Sequence, residues 1–239
     1  MPLPKIATPT YELELPSTRK PIHYRPFLVK EEKLLVLALE SEDTKEITTA
    51  IKNVIKSCIK TRGIKVETLP TFDIEFLFLN IRGKSVGEDI EVNLICPDDG
   101  KTQVPVTINI DEVQIQRTEG HTNKIKLDPT LMMEMKYPSL SEFIKNNFDF
   151  KEENVMDQSF EMIASCIDKI YNKEEVWAAA DCTKKEISTF LESMNSSQFK
   201  EIEKFFETMP KLSHKVKITN PNTNVESEVV MEGLSSFFG

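Results

Sequence analysis

An α+β fold, in which a helical bundle-like part is combined with small antiparallel β-hairpins, is what this 239-residue chain predicts. Three observations carry the prediction. Apolar residues recur at helical spacing in Ile47, Ile51, Val54, Ile55, Cys58 and Ile59, and again between Met156 and Met209. They alternate with polar residues in Ile90, Val92 and Leu94 and in Val104, Val106, Ile108 and Ile110. Turn-forming runs, Cys96-Pro97-Asp98-Asp99-Gly100 and Asn220-Pro221-Asn222-Thr223-Asn224, sit between strand-like segments.

Residues 1–21 hold five prolines and little apolar content, so they predict an extended arm that packs on a neighbouring subunit or frays. Residues 22–87 read as a mostly helical region. Ile22–Val29 is a short extended piece. Lys30–Ser41 reads as a helix with Glu31 and Glu32 in its first turn, where they favour the dipole. Its apolar run is nearly continuous and equally fits a buried strand. From Thr44 an amphipathic helix is expected, stopped by Arg62-Gly63. Thr71 as N-cap favours a helix over a strand for Phe72–Arg82.

Residues 88–138 form a β-hairpin region, which Val113–Gln116 and Ile125–Leu127 are expected to extend into one small antiparallel sheet. Residues 139–210 form an acidic helical region, with 15 acids against 8 Lys/Arg between residues 141 and 210, which places most of the negative excess here. One expected face holds Met156, Phe160, Ile163, Ile167 and Ile170. A second holds Ile187, Phe190, Leu191 and Met194, and a third Phe199, Ile202, Phe205, Phe206 and Met209. Thr183 with Glu186 makes a capping-box pattern, and Trp177 falls in a loop-like connection. Residues 211–239 give a C-terminal β-hairpin, Lys215–Thr219 and Val225–Met231, and a Phe237-Phe238 tail. These five segments also read as one compact domain.

Composition narrows the function classes. Hydrophobic residues at 39% and charged residues at 29% suit a folded soluble chain rather than a disordered one. A net charge of −9 disfavours a phosphate backbone as partner, and the basic run Lys52–Lys65 reads as a solvated helix face, so no nucleic acid is expected. The longest apolar run, Leu34–Leu39, is too short to span a bilayer, and Met1–Thr10 has no secretory apolar block. Four cysteines without paired spacing point to a reducing cytoplasm.

Motifs that would carry chemistry are incomplete. Arg82-Gly83-Lys84-Ser85 looks like the end of a phosphate loop, but Phe78 stands where the earlier glycine belongs, so Gly83 reads as a helix end. The two hairpin turns look like zinc-ribbon knuckles, yet Cys96 stands alone and the second turn offers only Asn220, Asn222 and Asn224. His23, His121 and His214 lie in separate segments without a local partner for a triad. No enzyme, cofactor or metal is therefore expected. Phe237 and Phe238 either tuck back onto the body or anchor a partner, and Met132, Met133 and Met135 offer an adaptable surface or flexible core filling.

Several segments taken together point to a lineage. Tyr24–Ser41, with its aromatic–basic–proline start and dense apolar end, resembles the N-terminal signature of baseplate proteins of T4-like contractile-tailed phages. Phe72–Gly87 with its Ile81–Gly87 end, the Cys96-Pro97 hairpin, Phe206–Leu212 and the Gly233–Gly239 close extend the resemblance over most of the chain. That small family holds the baseplate hub subunit and the hub assembly protein. The resemblance implies a role in building the central hub in the cytoplasm of the infected cell, as subunit or as assembly factor. Other baseplate hub proteins are the implied partners, and the acidic helical face would meet basic partner surfaces. Candidate partner-binding residues are Tyr24, Arg25 and Phe27 in the signature and Phe237 and Phe238 in the tail. Alternative readings are a cell-wall-degrading hydrolase of the tail and a nucleic-acid-binding regulator. No sequence feature fixes the oligomeric state.

Overall fold

The computed structural model describes residues 6–140, 143 and 155–237. Its helices and strands form the expected α+β fold, with six α-helices and eleven strands among the described residues.

Beyond Tyr11 the proline-rich stretch is not a free arm. β1 (Tyr11–Glu14) pairs antiparallel with β2 (Pro21–Tyr24), with Leu13 opposite Ile22, because Leu13 and Leu15 face inward and are buried. The connecting loop is tied down by polar contacts. The backbone N–H and hydroxyl of Ser17 both donate to the fully buried Asp73, and Arg117 donates to the Pro16 carbonyl. Burial pushes the Asp73 carboxyl up, against the hydrogen bonds from Ser17.

Three helices follow: α1 (Val29–Glu40), α2 (Thr44–Cys58) and α3 (Thr71–Val86). Lys30–Ser41 thus resolves as a helix. The Asp43 carboxylate caps α2 by accepting from the N–H groups of Lys45 and Glu46 at 2.7 and 3.2 Å. Ile47, Ile51, Val54, Ile55 and Cys58 form its buried stripe. α2 stops at Cys58, ahead of Arg62-Gly63, because Ile59 turns extended and makes a β-bridge to Tyr24.

α3 is buried nearly all round, as a central helix is. Thr71 is its first residue rather than its cap. Pro70 holds the N-cap position, and the Thr71 hydroxyl donates instead to the Pro138 carbonyl at 2.8 Å. Gly83 is not a helix end but lies inside α3, which runs on to Gly87 at φ 124°. A Cβ at Gly83 would stand 2.7 Å from Ile110 Cδ1, so glycine there lets the Ile110–Glu112 turn close onto the helix.

β3 (Asp89–Ile95) and β4 (Gln103–Asn109) form the expected hairpin, with Ile90 opposite Ile108 and Val92 opposite Val106. The expected extension of this sheet is corrected. β5 (Gln114–Gln116) pairs instead with β10 (Lys211–Thr219), which pairs in turn with β11 (Glu226–Glu232). β6 (Lys124–Lys126) opens a separate four-stranded antiparallel sheet with β7 (Met132–Met135), β8 (Ile167–Tyr171) and β9 (Val176–Ala178). The 3₁₀ turn at Ile110–Glu112 leads the chain away from the first hairpin.

The acidic helical region is also interrupted. α4 (Val155–Ser165) ends before Ile167 and Ile170, which are strand residues of β8, and Trp177 lies on β9 rather than in a loop. α5 (Lys184–Glu192) and α6 (Ser196–Thr208) follow, each opened by a capping box, Thr183 with Glu186 and Asn195 with Gln198.

Two apolar cores result. The larger draws on β1–β4, α1–α3, β10, β11 and the tail residues Leu234 and Phe237. The smaller joins Ile125, Leu127, Met133, Met135, Ile163, Ile167, Leu191, Ile202 and Phe205. The chain leaves the first core after Val113 for Ile125–Met135 of the second, touches the first again at Leu140 and Phe143, completes the second from Ile163 to Phe205, and returns at Leu212.

Candidate functional site

The signature residues sit where β2 passes into α1. Tyr24 is buried against the Tyr11 ring, 5.9 Å between centroids, and burial pushes its phenol up to about 12. Arg25 is buried as well. Its Nη2 donates to Glu31 Oε1 at 2.8 Å and its Nη1 to the Pro26 carbonyl at 2.8 Å. Glu31 Oε2 accepts the Leu28 N–H at 2.9 Å, so one carboxylate both caps α1 and neutralises Arg25. Burial acts upward on Glu31, but the hydrogen bonds from Arg25 and Leu28 outweigh it and leave its carboxyl below the usual range. The Phe27 N–H donates to Ser85 Oγ at 2.9 Å, which ties the start of α1 to the end of α3.

Phe237 is fully buried in the larger core, next to Leu234, whose N–H donates to Glu75 Oε1 at 3.3 Å. Phe238 lies outside the described residues. Tyr24, Arg25 and Phe237 therefore make their contacts within the chain, whereas Phe27 is half-buried on the wall of a groove.

That groove, of about 490 Å³, lies between α1, α2 and α3; Leu35 and Leu39, Ile51, and Phe78 with Arg82 line it from the three helices in turn. Its size and apolar walls suit side chains of a partner. Beside it, α1 displays apolar residues to solvent: Val29 is 80% exposed, Leu37 53% and Val36 48%. Six of the thirteen exposed large hydrophobics among the described residues fall between Leu28 and Leu39, which marks a patch rather than scatter. The signal in the sequence was Leu34–Leu39 itself, a run too apolar for one buried face of a surface helix.

The two knuckle-like turns meet in space. Asn220, 1% exposed, donates through Nδ2 to both Asp98 oxygens at 3.0 Å and to Asp99 Oδ2 at 3.1 Å. Thr223 donates to Asp98 at 2.6 Å and Asn222 to Thr102 Oγ1 at 3.0 Å. These bonds lower both carboxylates: Asn220 and Thr223 act first on Asp98, and Thr102 acts first on Asp99. The clasp fastens hairpin β3–β4 to hairpin β10–β11. Among the described residues no group of three or more His, Cys, Asp or Glu is disposed to hold a metal.

The histidines stay apart. His23 is exposed, 3.5 Å from Glu12, and His214 lies 3.9 Å from Glu112. His121 is wedged between Thr208 Oγ1 at 2.9 Å and Tyr137 OH at 3.0 Å. Thr208 spends its hydroxyl proton on the Lys204 carbonyl, so Nδ1–H must donate to it and Nε2 must accept from Tyr137. Burial pushes the His121 pKa down, consistent with a neutral ring.

An α+β chain with an apolar helix face open to solvent, an adjoining groove and polar clusters that lock its own segments is equipped for contact with other proteins. Among protein families, the one described as T4 bacteriophage base plate protein matches residues 8–239, and the chain belongs to that family. Membership gives it a structural role in the phage tail baseplate and implies contacts with other baseplate proteins. No curated protein and no solved structure matches it. No helix among the described residues is long and apolar enough to cross a membrane.

Proposed function

We propose that this chain serves the baseplate hub, building it or forming part of it, through protein–protein contacts rather than covalent chemistry. The observation that carries the reading is the apolar groove between α1, α2 and α3, whose α1-side wall of Phe27, Leu35 and Leu39 lies within the Tyr24–Ser41 segment that bears the family resemblance. In this reading Tyr24 and Arg25 hold α1 in place, and Phe27, with the groove wall of Leu35 and Leu39, takes apolar side chains of a hub protein. Assembly takes place in the cytoplasm of the infected cell, before the tail is complete.

Co-purification of the full chain with each hub protein tests the proposal. At least one hub protein is expected to be retained, and Phe27→Ala is expected to weaken retention; retention of none sinks the reading. Mass spectrometry of purified particles then separates the two roles. A few copies per particle mark a subunit, and absence marks an assembly factor that leaves.

A further inference from the structure

Val29, Lys33, Val36, Leu37 and Glu40 recur every three or four residues and form the outermost row of α1, beside the groove wall rather than on it. The charged members of this row are Lys33, toward its N-terminal end, and Glu40, at its C-terminal end, both exposed. Lys30 and Glu32 flank the row on opposite sides, both exposed, and offset each other.

A helix laid on this row must bring acid to Lys33, base to Glu40 and apolar residues between them. α1 read in the opposite direction has that order. We infer that the occupant is a second copy of this chain, with the two α1 helices packed antiparallel about a twofold axis. Lys33 of each copy then faces Glu40 of the other, twice by symmetry, while Val36 packs against Leu37 near the axis. A parallel arrangement would set like charges together. α1 is about 18 Å long, so a contact centred on it falls short of the standard interface of about 1,600 Å², and the dimer is weak and reversible. This inference names a partner for a row of α1 that the hub reading leaves open and does not depend on hub binding.

Sedimentation equilibrium of the full chain, from micromolar to millimolar concentration, is the test. Wild type should pass from monomer to dimer. Leu37→Lys, at an exposed position, should weaken the dimer at least tenfold with an unchanged circular dichroism spectrum and melting curve. Lys33→Glu and Glu40→Lys should each weaken it roughly two- to thirtyfold, since each disturbs two symmetric pairs, and the double variant should recover to within about threefold of wild type. Wild type monomeric throughout, or a double variant no better than the singles, overturns the inference. Hub capture is scored separately: a monomer that captures hub proteins refutes the dimer alone, and a dimer that captures none refutes the hub reading alone.

Discussion

The two cores are built on opposite plans. The larger gathers residues between 13 and 113, Leu140, Phe143 and residues between 212 and 237, and its polar side chains bridge distant segments: Asp73 to Ser17, Glu75 to Leu234, Asp98 to Asn220. The smaller is assembled from neighbouring stretches between Ile125 and Phe205, on strands of three to five residues. Aromatic stacking is prominent there. Tyr137 lies 5.6 Å from Phe205, Phe205 5.1 Å from Phe206, and Phe160 5.6 Å from Phe199. Side-chain hydrogen bonds register remote segments in both, as between His121 and Thr208 and between Gln198 and the Leu127 carbonyl in the smaller, so the contrast teaches that short strands lean on aromatic packing where the larger core has longer strands and helices.

Phe205→Ala gives the strongest break of this comparison. Truncation of a side chain 2% exposed in the aromatic cluster should cost about 3–5 kcal/mol. Hydrogen exchange should show Ile167–Tyr171 losing protection while Ile90–Leu94 keep theirs; a uniform loss would mean that the cores open as one unit. Arg25→Ala strikes the larger core in the reverse sense. It leaves Glu31 buried without its partner, at a cost of about 3–5 kcal/mol in denaturant unfolding. Arg25→Met with Glu31→Leu should recover part of that loss, but not all, because Leu28 N–H then lacks its acceptor.

Asn220→Ala is a smaller probe of the clasp, expected to cost about 1–3 kcal/mol. It also changes the acid limb. Asp98 and Asp99 are depressed in the fold, so their stabilisation is complete above the unfolded carboxyl range near pH 4 and is lost as pH falls through the lower folded values. Melting temperatures followed downward from about pH 4 should fall less steeply in Asn220→Ala than in wild type. His121 gives the smallest effect. Its folded pKa is depressed, so the unfolded chain takes the proton first and stability declines as pH drops below about 6.5. That decline should be reduced in His121→Gln, and the remainder would come from other groups.

Much of this architecture was legible because local pattern and tertiary demand agree. Hairpin β3–β4 follows strict alternation, α2 follows the 3.6 period, and the Thr183–Glu186 box opens α5. The switch from helix to strand at Cys166 was not legible: Ile163, Ile167 and Ile170 keep helical spacing, and pairing with β7 and β9 overrides it. β5 was assigned to the wrong partner because nothing local connects Gln114–Gln116 to a strand almost a hundred residues later. At the candidate site, Tyr24–Ser41 stands out in the sequence as a segment, yet the division of labour within it depends on burial. Arg25 and Glu31 are six residues apart, and only the turn through Pro26–Leu28 reveals them as a pair. The clasp was visible as two odd turns, but not as one contact across 122 positions.

The return of β10 and β11 to the larger core sets a timetable for biosynthesis. At about 5–20 residues per second, Leu13 is translated roughly 10–45 s before Leu234. Throughout that interval the nascent polypeptide shows apolar helix faces whose covering strands do not yet exist. A nonsense codon placed just ahead of Lys211 would make that condition permanent.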